Sequence, residues 1–319
     1  MGAEQKEAWQ KQSAREFAER RSHIGLAMDK LDDHHLPLAD DRGFGDSGTK
    51  TQFGQFVLVG PDTLRSPSHT CTHYLFEHNE LKYRASGKIY SDFAACKMEL
   101  LVHSCLPVCG QFSAVLANSK DQLPWAIFDH VFEDLAIALQ RRPLTPEEQL
   151  AMIKQVGHGL ERLHECGWAH GNLKPSAVLW DGSRMRAVLT EFQLACRLQP
   201  DGRKDNQYRY AGAYRAPEHW AWSEAWKDDS LRATPASDVW ALACTLAEAA
   251  TAAKLFTEVC SIQSFCASQS RPLASHTRSS GPWKVLLQLK TSFQAVLLEM
   301  LHKDPQRRMT LPTLLQRLR

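Results

Sequence analysis

The run from residue 238 to 253, D-V-W-A-L-A-C-T-L-A-E-A-A-T-A-A, is apolar on nearly every side. A helix without a polar face has to be covered all round, so the chain must fold other elements against each of its sides. The run is too short to cross a bilayer and carries Glu248, so it belongs inside a folded body. A second helix is legible upstream, with Thr145 as N-cap, Pro146 as first residue and Glu147 and Glu148 as an acidic first turn. Ile153, Val156, Leu160 and Leu163 then recur at steps of three or four and turn one face inward.

A length of 319 residues admits two average domains, or one unit of two lobes with an extension. Hydrophobic residues make up 43% and charged residues 23%, enough apolar side chain for a real core. A net charge of +2 gives no field that would argue for nucleic acid or a membrane surface as partner. Nine cysteines, an odd number without a regular framework, point to a reducing, cytoplasmic setting. Cys105 and Cys109, with His103 near, lack a second ligand pair and read as buried thiols, not as a metal site. Residues 1–20 are charged throughout, so no signal peptide is expected, and Lys6 stands where a myristoylation signal needs Ser or Thr.

Residues 1–50 read as an extension to a domain at 51–319. Trp9, Phe17, Ile24, Met28 and Leu31 form a thin stripe on a polar helix, suited to lying on the domain or to binding a partner. The sequence from Gly43 to Gly48 has the form G-x-G-x-x-G, but Pro37, Asp40 and Asp41 make a poor preceding strand, so the match reads as accidental. Strands are expected at 53–59, 72–77, 81–85 and 125–131, and a helix at 92–105. The connection G-P-D-T-L-R-S-P at 60–67 has one glycine and two prolines, so few backbone N–H groups are free to approach a phosphate.

Five stretches then follow in order. They are H-G-N-L-K-P-S-A-V-L from His170, T-E-F-Q from Thr190, Y-R-A-P-E from Tyr214, D-V-W-A-L from Asp238, and L-H-K-D-P-Q-R-R from Leu301. In register they resemble the catalytic loop, the Asp-Phe-Gly motif, the A-P-E motif, the central helix and the C-terminal arginine motif of the protein kinase family. The resemblance is specific from about Ile127 onward and retains the loop lysine, Lys174, typical of Ser/Thr kinases. It implies an α+β fold of two lobes, a small antiparallel one at about 51–128 and a larger helical one at about 132–319. Several structural roles come with it. Asp238 bonds the catalytic-loop backbone, His170 and Phe192 stack into a spine, and Glu218 pairs with Arg308. Around a nucleotide it implies Phe128 at the back of the pocket, Asp129 as the first hinge residue and Leu179 beneath an adenine. Laid over the third strand, the family pattern puts Arg84 at the phosphate-gripping lysine, with Lys82 and Lys88 as alternatives if the register slips, and Glu99 as its helix partner.

The residues that react are changed. Phosphoryl transfer in this family needs a positioned base, two magnesium ions and a lysine holding ATP. Asn172 replaces the base, Ala177 a metal ligand, and Gly171 the arginine that receives an activating phosphate. Glu191 retains a carboxylate on a longer arm, at most a weak metal ligand, and Gln193 replaces the glycine after it. The chain therefore resembles a pseudokinase, a scaffold or allosteric partner for another protein, with no required cofactor. ATP, if bound, is expected to be held weakly and with little dependence on Mg²⁺. The alternative is a slow, atypical Ser/Thr kinase using Glu191 for one metal and Lys174 for charge. Trp220, Trp222 and Trp226, which fall in one seven-residue span after Glu218, are the expected partner surface, or else tether a loop to the large lobe.

Overall fold

The computed structural model describes residues 52–107, 109–119, 123–129, 132–198, 212–220, 233–271, 273–276 and 281–318. The apolar stripe of residues 9–31, the Gly43–Gly48 sequence, Trp222 and Trp226 lie outside the described residues. The chain divides into two compact units. The first takes the described residues up to Thr63 and those of Pro67–Val131; the second takes Leu64–Ser66 and Phe132 onward.

The first unit is a six-stranded antiparallel sheet with one helix. Its strands are β1 (Gln52–Phe53), β2 (Phe56–Pro61), β3 (Cys71–His78), β4 (Arg84–Tyr90), β5 (Val115–Asn118) and β6 (Trp125–Phe128), in the order β1-β2-β3-β4-β6-β5. Helix α1 (Phe93–Cys105) starts where Asp92 accepts the Ala95 N–H at 2.7 Å, a side-chain cap. Side-chain alternation splits the apolar core between the two faces. Tyr90, Ala126 and Phe128 pack with Cys96 and Leu100 of α1, while Ala85 and Ile127 pack with Phe53, Phe56 and Phe76 on the other side.

Two strands differ from the sequence expectation. The expected 53–59 strand is broken at Gly54, whose φ of +60° turns the chain back between β1 and β2. The expected 81–85 strand is out of register: Lys82, at φ 55°, lies in the turn after β3, and the strand itself runs Arg84–Tyr90. Gly87 makes this possible, because a Cβ there would meet the Phe76 ring at 2.4 Å.

The second unit is mainly helical: α2 (Leu135–Leu139), α3 (Pro146–Glu165), α4 (Pro235–Thr251), α5 (Val259–Ser268), α6 (Pro282–Leu286), α7 (Thr291–Met300) and α8 (Leu311–Arg317). Helix α3 opens with the expected cap, completed as a reciprocal box by Glu148, which takes the Thr145 N–H at 2.8 Å. Helix α4 begins three residues earlier than expected because Thr234 and Ser237 form a second such box. Residues 237 to 247 of α4 are all buried, and Trp240 stacks on Phe256 at 5.5 Å. The small strands β7 (Glu133–Asp134), β9 (Val178–Asp181) and β10 (Arg186–Leu189) form one antiparallel sheet, and β8 (Trp168–Ala169) pairs with β11 (Cys196–Arg197).

None of the nine cysteines forms a disulfide. Cys105 is exposed and Cys109 half-buried, which corrects the reading of both as buried thiols. No described helix is long and apolar enough to cross a membrane.

Candidate functional site

In the first unit the register of β4 decides which side chains meet. Ser86, Lys88 and Tyr90 share one face of the strand, and all three are buried. Lys88 Nζ lies 2.7 Å from Glu99 Oε1, and the Tyr90 hydroxyl donates to Glu99 Oε2 at 2.7 Å. The ion pair is almost fully enclosed, at 3% and 0% side-chain exposure. Burial, and then the Glu99 charge, push the Tyr90 hydroxyl well above its ordinary pKa, so it stays a donor. Ser86 donates to Asp62 at 2.7 Å, and the Lys88 ammonium lies 5.2 Å from the Phe128 ring centre. Lys88, and not Arg84, therefore faces Glu99. Arg84 is exposed at the start of the strand, opposite Glu77, which corrects the assignment of the lysine position to arginine. Asp129 turns its carboxylate back to the Ala114 N–H at 2.8 Å.

In the second unit one carboxylate organises the loop after β8. Asp238, fully buried in α4, accepts the His170 N–H at 2.7 Å, the Gly171 N–H at 3.1 Å and the His164 ring at 2.9 Å. Burial raises its pKa, but the His164 bond and charge and the His170 contacts outweigh that and hold it below the ordinary carboxylate range. His170 is held neutral chiefly by burial; its Nδ1 accepts the Asn172 N–H at 3.2 Å and its Nε2 donates to the Thr190 carbonyl at 3.0 Å. Its ring lies 5.3 Å from that of Phe192. These are the contacts expected of Asp238, His170 and Phe192.

The altered residues sit within this intact frame. Asn172 is buried and has no basic oxygen. Ala177 closes the short turn Pro175–Ala177, is fully buried, and offers no ligand atom. Leu179 is buried in β9, and Lys174 is half-buried. Gly171 has φ +71°, and a Cβ there would lie 2.5 Å from the Leu194 carbonyl oxygen. Glu191 is a non-glycine residue at φ 68°, followed by the turn Phe192–Leu194, and its Oε2 accepts the Gln193 amide at 2.6 Å. Such a backbone costs about 1–2 kcal/mol and persists only when its surroundings hold it.

A contact not signalled by any motif involves residues 64–66, in the connection at 60–67. Asp134 caps α2 through the Ile137 N–H at 2.9 Å. The same carboxylate accepts the Ser66 N–H, and its Oδ1 accepts the Ser66 hydroxyl at 3.0 Å. The Asp134 N–H closes the contact on the Leu64 carbonyl at 2.9 Å. Burial raises the Asp134 pKa against these lowering bonds.

Farther along, Arg308 grips Glu218 through two parallel bonds of 2.6 Å, as the spacing of the motifs implies. Tyr214 donates to Glu248 at 2.5 Å, which gives the second acid of α4 its partner. Trp220 is half-buried; its indole N–H donates to the Arg215 carbonyl at 3.3 Å, and the Arg215 guanidinium lies 4.7 Å from its ring centre.

Residues 117–318 match the family described as the protein kinase domain. The chain is similar to Serine/threonine-protein kinase PknE of Mycobacterium tuberculosis (strain ATCC 25618 / H37Rv), at 28% identity over 179 residues, 55% of this chain and 28% of that protein. It is similar to Mitogen-activated protein kinase pmk-3 of Caenorhabditis elegans, at 34% over 117 residues, 36% of this chain and 23% of that protein. A further match is E3 ubiquitin-protein ligase KEG of Arabidopsis thaliana, at 29% over 142 residues, 39% of this chain and 9% of that protein. The chain thus spans less than a third of the length of each of these relatives. Most of its length matches the family, and the carboxylate, histidine and arginine contacts that hold the second unit are in place. On those grounds the chain belongs to the protein kinase domain family.

Proposed function

We propose that the chain is a pseudokinase that works by binding another protein and does not transfer phosphate. The observation that carries this reading is the pair Asn172 and Ala177, set in a loop whose framework bonds to Asp238 and Thr190 are all made. Neither side chain supplies a base or a metal ligand. The chain's scattered cysteines, none in a disulfide, support a reducing, cytoplasmic location. For the partner surface, Trp220 is partly covered by Arg215, which favours a tethering role for that ring and leaves Trp222 and Trp226 as the anchors to test.

One observation favours the slow-kinase alternative. The Lys88–Glu99 pair is of the kind an active kinase needs, so the loss of the phosphate-gripping lysine no longer supports inactivity. Weak ATP binding with little Mg²⁺ dependence now rests on the connection at 60–67, with its few free N–H groups, and on the Glu191 environment.

The test is a phosphoryl-transfer assay with Mg-ATP or Mn-ATP and a nonspecific protein acceptor. The unmodified chain is expected to stay at background. Asn172→Asp is expected to gain less than about tenfold, although a positioned base is worth about 10²–10⁴ in rate, because the groups of such a site act as a unit. Robust transfer by the unmodified chain, abolished by Glu191→Ala, would establish the alternative.

A further inference from the structure

The family places a divalent cation at the carboxylate position that Glu191 holds, and its two loop neighbours, Gln193 and Ala177, do not make a magnesium ligand set. Magnesium asks for near-octahedral oxygen ligands at about 2.0–2.1 Å and gives up its waters reluctantly. Here Glu191 Oε2 already accepts an N–H from Gln193 at 2.6 Å, and both residues are 5% exposed. The neighbouring loop position, Ala177, contributes a methyl group. An amide donor aimed at a carboxylate oxygen occupies the direction from which a cation would approach it.

We infer that Gln193 is a built-in substitute for the cation: its side-chain amide takes over the bonding of Glu191 and makes this carboxylate refractory to divalent metal. The local chain is shaped for it. Glu191 sits at φ 68° and Ala195 N–H bonds the Phe192 carbonyl at 3.0 Å, which closes the turn Phe192–Leu194 and brings residue 193 back over residue 191. A glycine at 193 would leave Glu191 without this donor. The amide also fixes its own orientation, since only its NH₂ end can face an ionised carboxylate. The inference deepens the pseudokinase reading and rests on it in one respect, that any nucleotide held here is bound without a metal bridge.

The test titrates Mn²⁺ into the purified full chain and reads free Mn²⁺ by electron paramagnetic resonance, with no nucleotide and no turnover. The unmodified chain is expected to bind only at millimolar concentration or above. Gln193→Ala and Gln193→Gly, each checked for an unchanged far-ultraviolet circular dichroism spectrum, are expected to bind at least tenfold more tightly. Glu191→Gln added to Gln193→Ala should cancel that gain. Tight binding by the unmodified chain that disappears in Glu191→Gln overturns the inference. So does the absence of any gain in both variants once either is shown to be folded. The outcome is independent of the transfer assay: an inactive chain that binds Mn²⁺ through Glu191 refutes only the role of Gln193.

Discussion

Arg308→Ala is expected to destabilise the second unit by about 3–5 kcal/mol, the usual result of removing one partner from a buried ion pair. The Arg308 side chain is 1% exposed and Glu218 12%. Besides its fork on Glu218, the guanidinium donates to the carbonyls of His302 at 2.8 Å, Ala236 at 3.0 Å and Lys303 at 3.3 Å, and lies 5.2 Å from the Trp240 ring centre. One truncation therefore strips a carboxylate and three carbonyls of their donor and opens space beside the central helix. Thermal melting should register a fall of roughly 10 °C, taking about 2–4 °C per kcal/mol for a unit of this size. Arg308→Lys should lose much of the same stability, because an ammonium cannot reproduce the two parallel bonds. A loss under about 1 kcal/mol in Arg308→Ala would mean that the pair behaves as an exposed one.

Glu99→Ala is the corresponding change in the first unit and is expected to cost about 3–5 kcal/mol for the same reason. It leaves the Lys88 ammonium inside the sheet–helix core without its counter-ion and removes the acceptor of the Tyr90 hydroxyl. Glu99→Gln should cost less, since an amide oxygen still accepts one of the two bonds. Lys88→Met combined with Glu99→Leu should recover most of the loss, because a buried pair replaced whole by apolar side chains leaves no stranded charge. Urea denaturation of these three variants measures all of this. Equal stability of Glu99→Ala and the unmodified chain would break the Lys88–Glu99 assignment, and Arg84→Ala, at an exposed position, serves as the neutral control.

The two units were not equally legible in the sequence, and the reason is physical. In the second unit the residues that hold the backbone are the ones that form motifs. Asp238, His170, Glu218 and Arg308 each bond a partner far along the chain, and each stands in a stretch with a fixed spacing. The strand β4 carries no such signal. Its sequence R-A-S-G-K-I-Y has a single β-branched residue, and its inward face is Ser86, Lys88 and Tyr90. Those side chains can be buried only because Asp62 and Glu99 wait on other elements, which strand propensity does not report. The resulting error is a slip of four residues, which preserves the face but puts the wrong cation on it. The Ser66–Asp134 contact joins residues 68 apart, and the Gln193 amide acts on a neighbour through a turn. Nothing in composition or periodicity marks either one.

Gly171 has a consequence for placing an arginine at this position. At φ +71°, with the Leu194 carbonyl oxygen 2.5 Å from where a Cβ would stand, the position excludes any side chain until the segment at Leu194 gives way. Putting an arginine back is therefore not a one-step reversal: as the chain now stands, the change alone would disturb the fold before it could restore a phosphate receiver. The glycine works as a ratchet. Any side chain at this position would have to be preceded by a change in the backbone around Leu194.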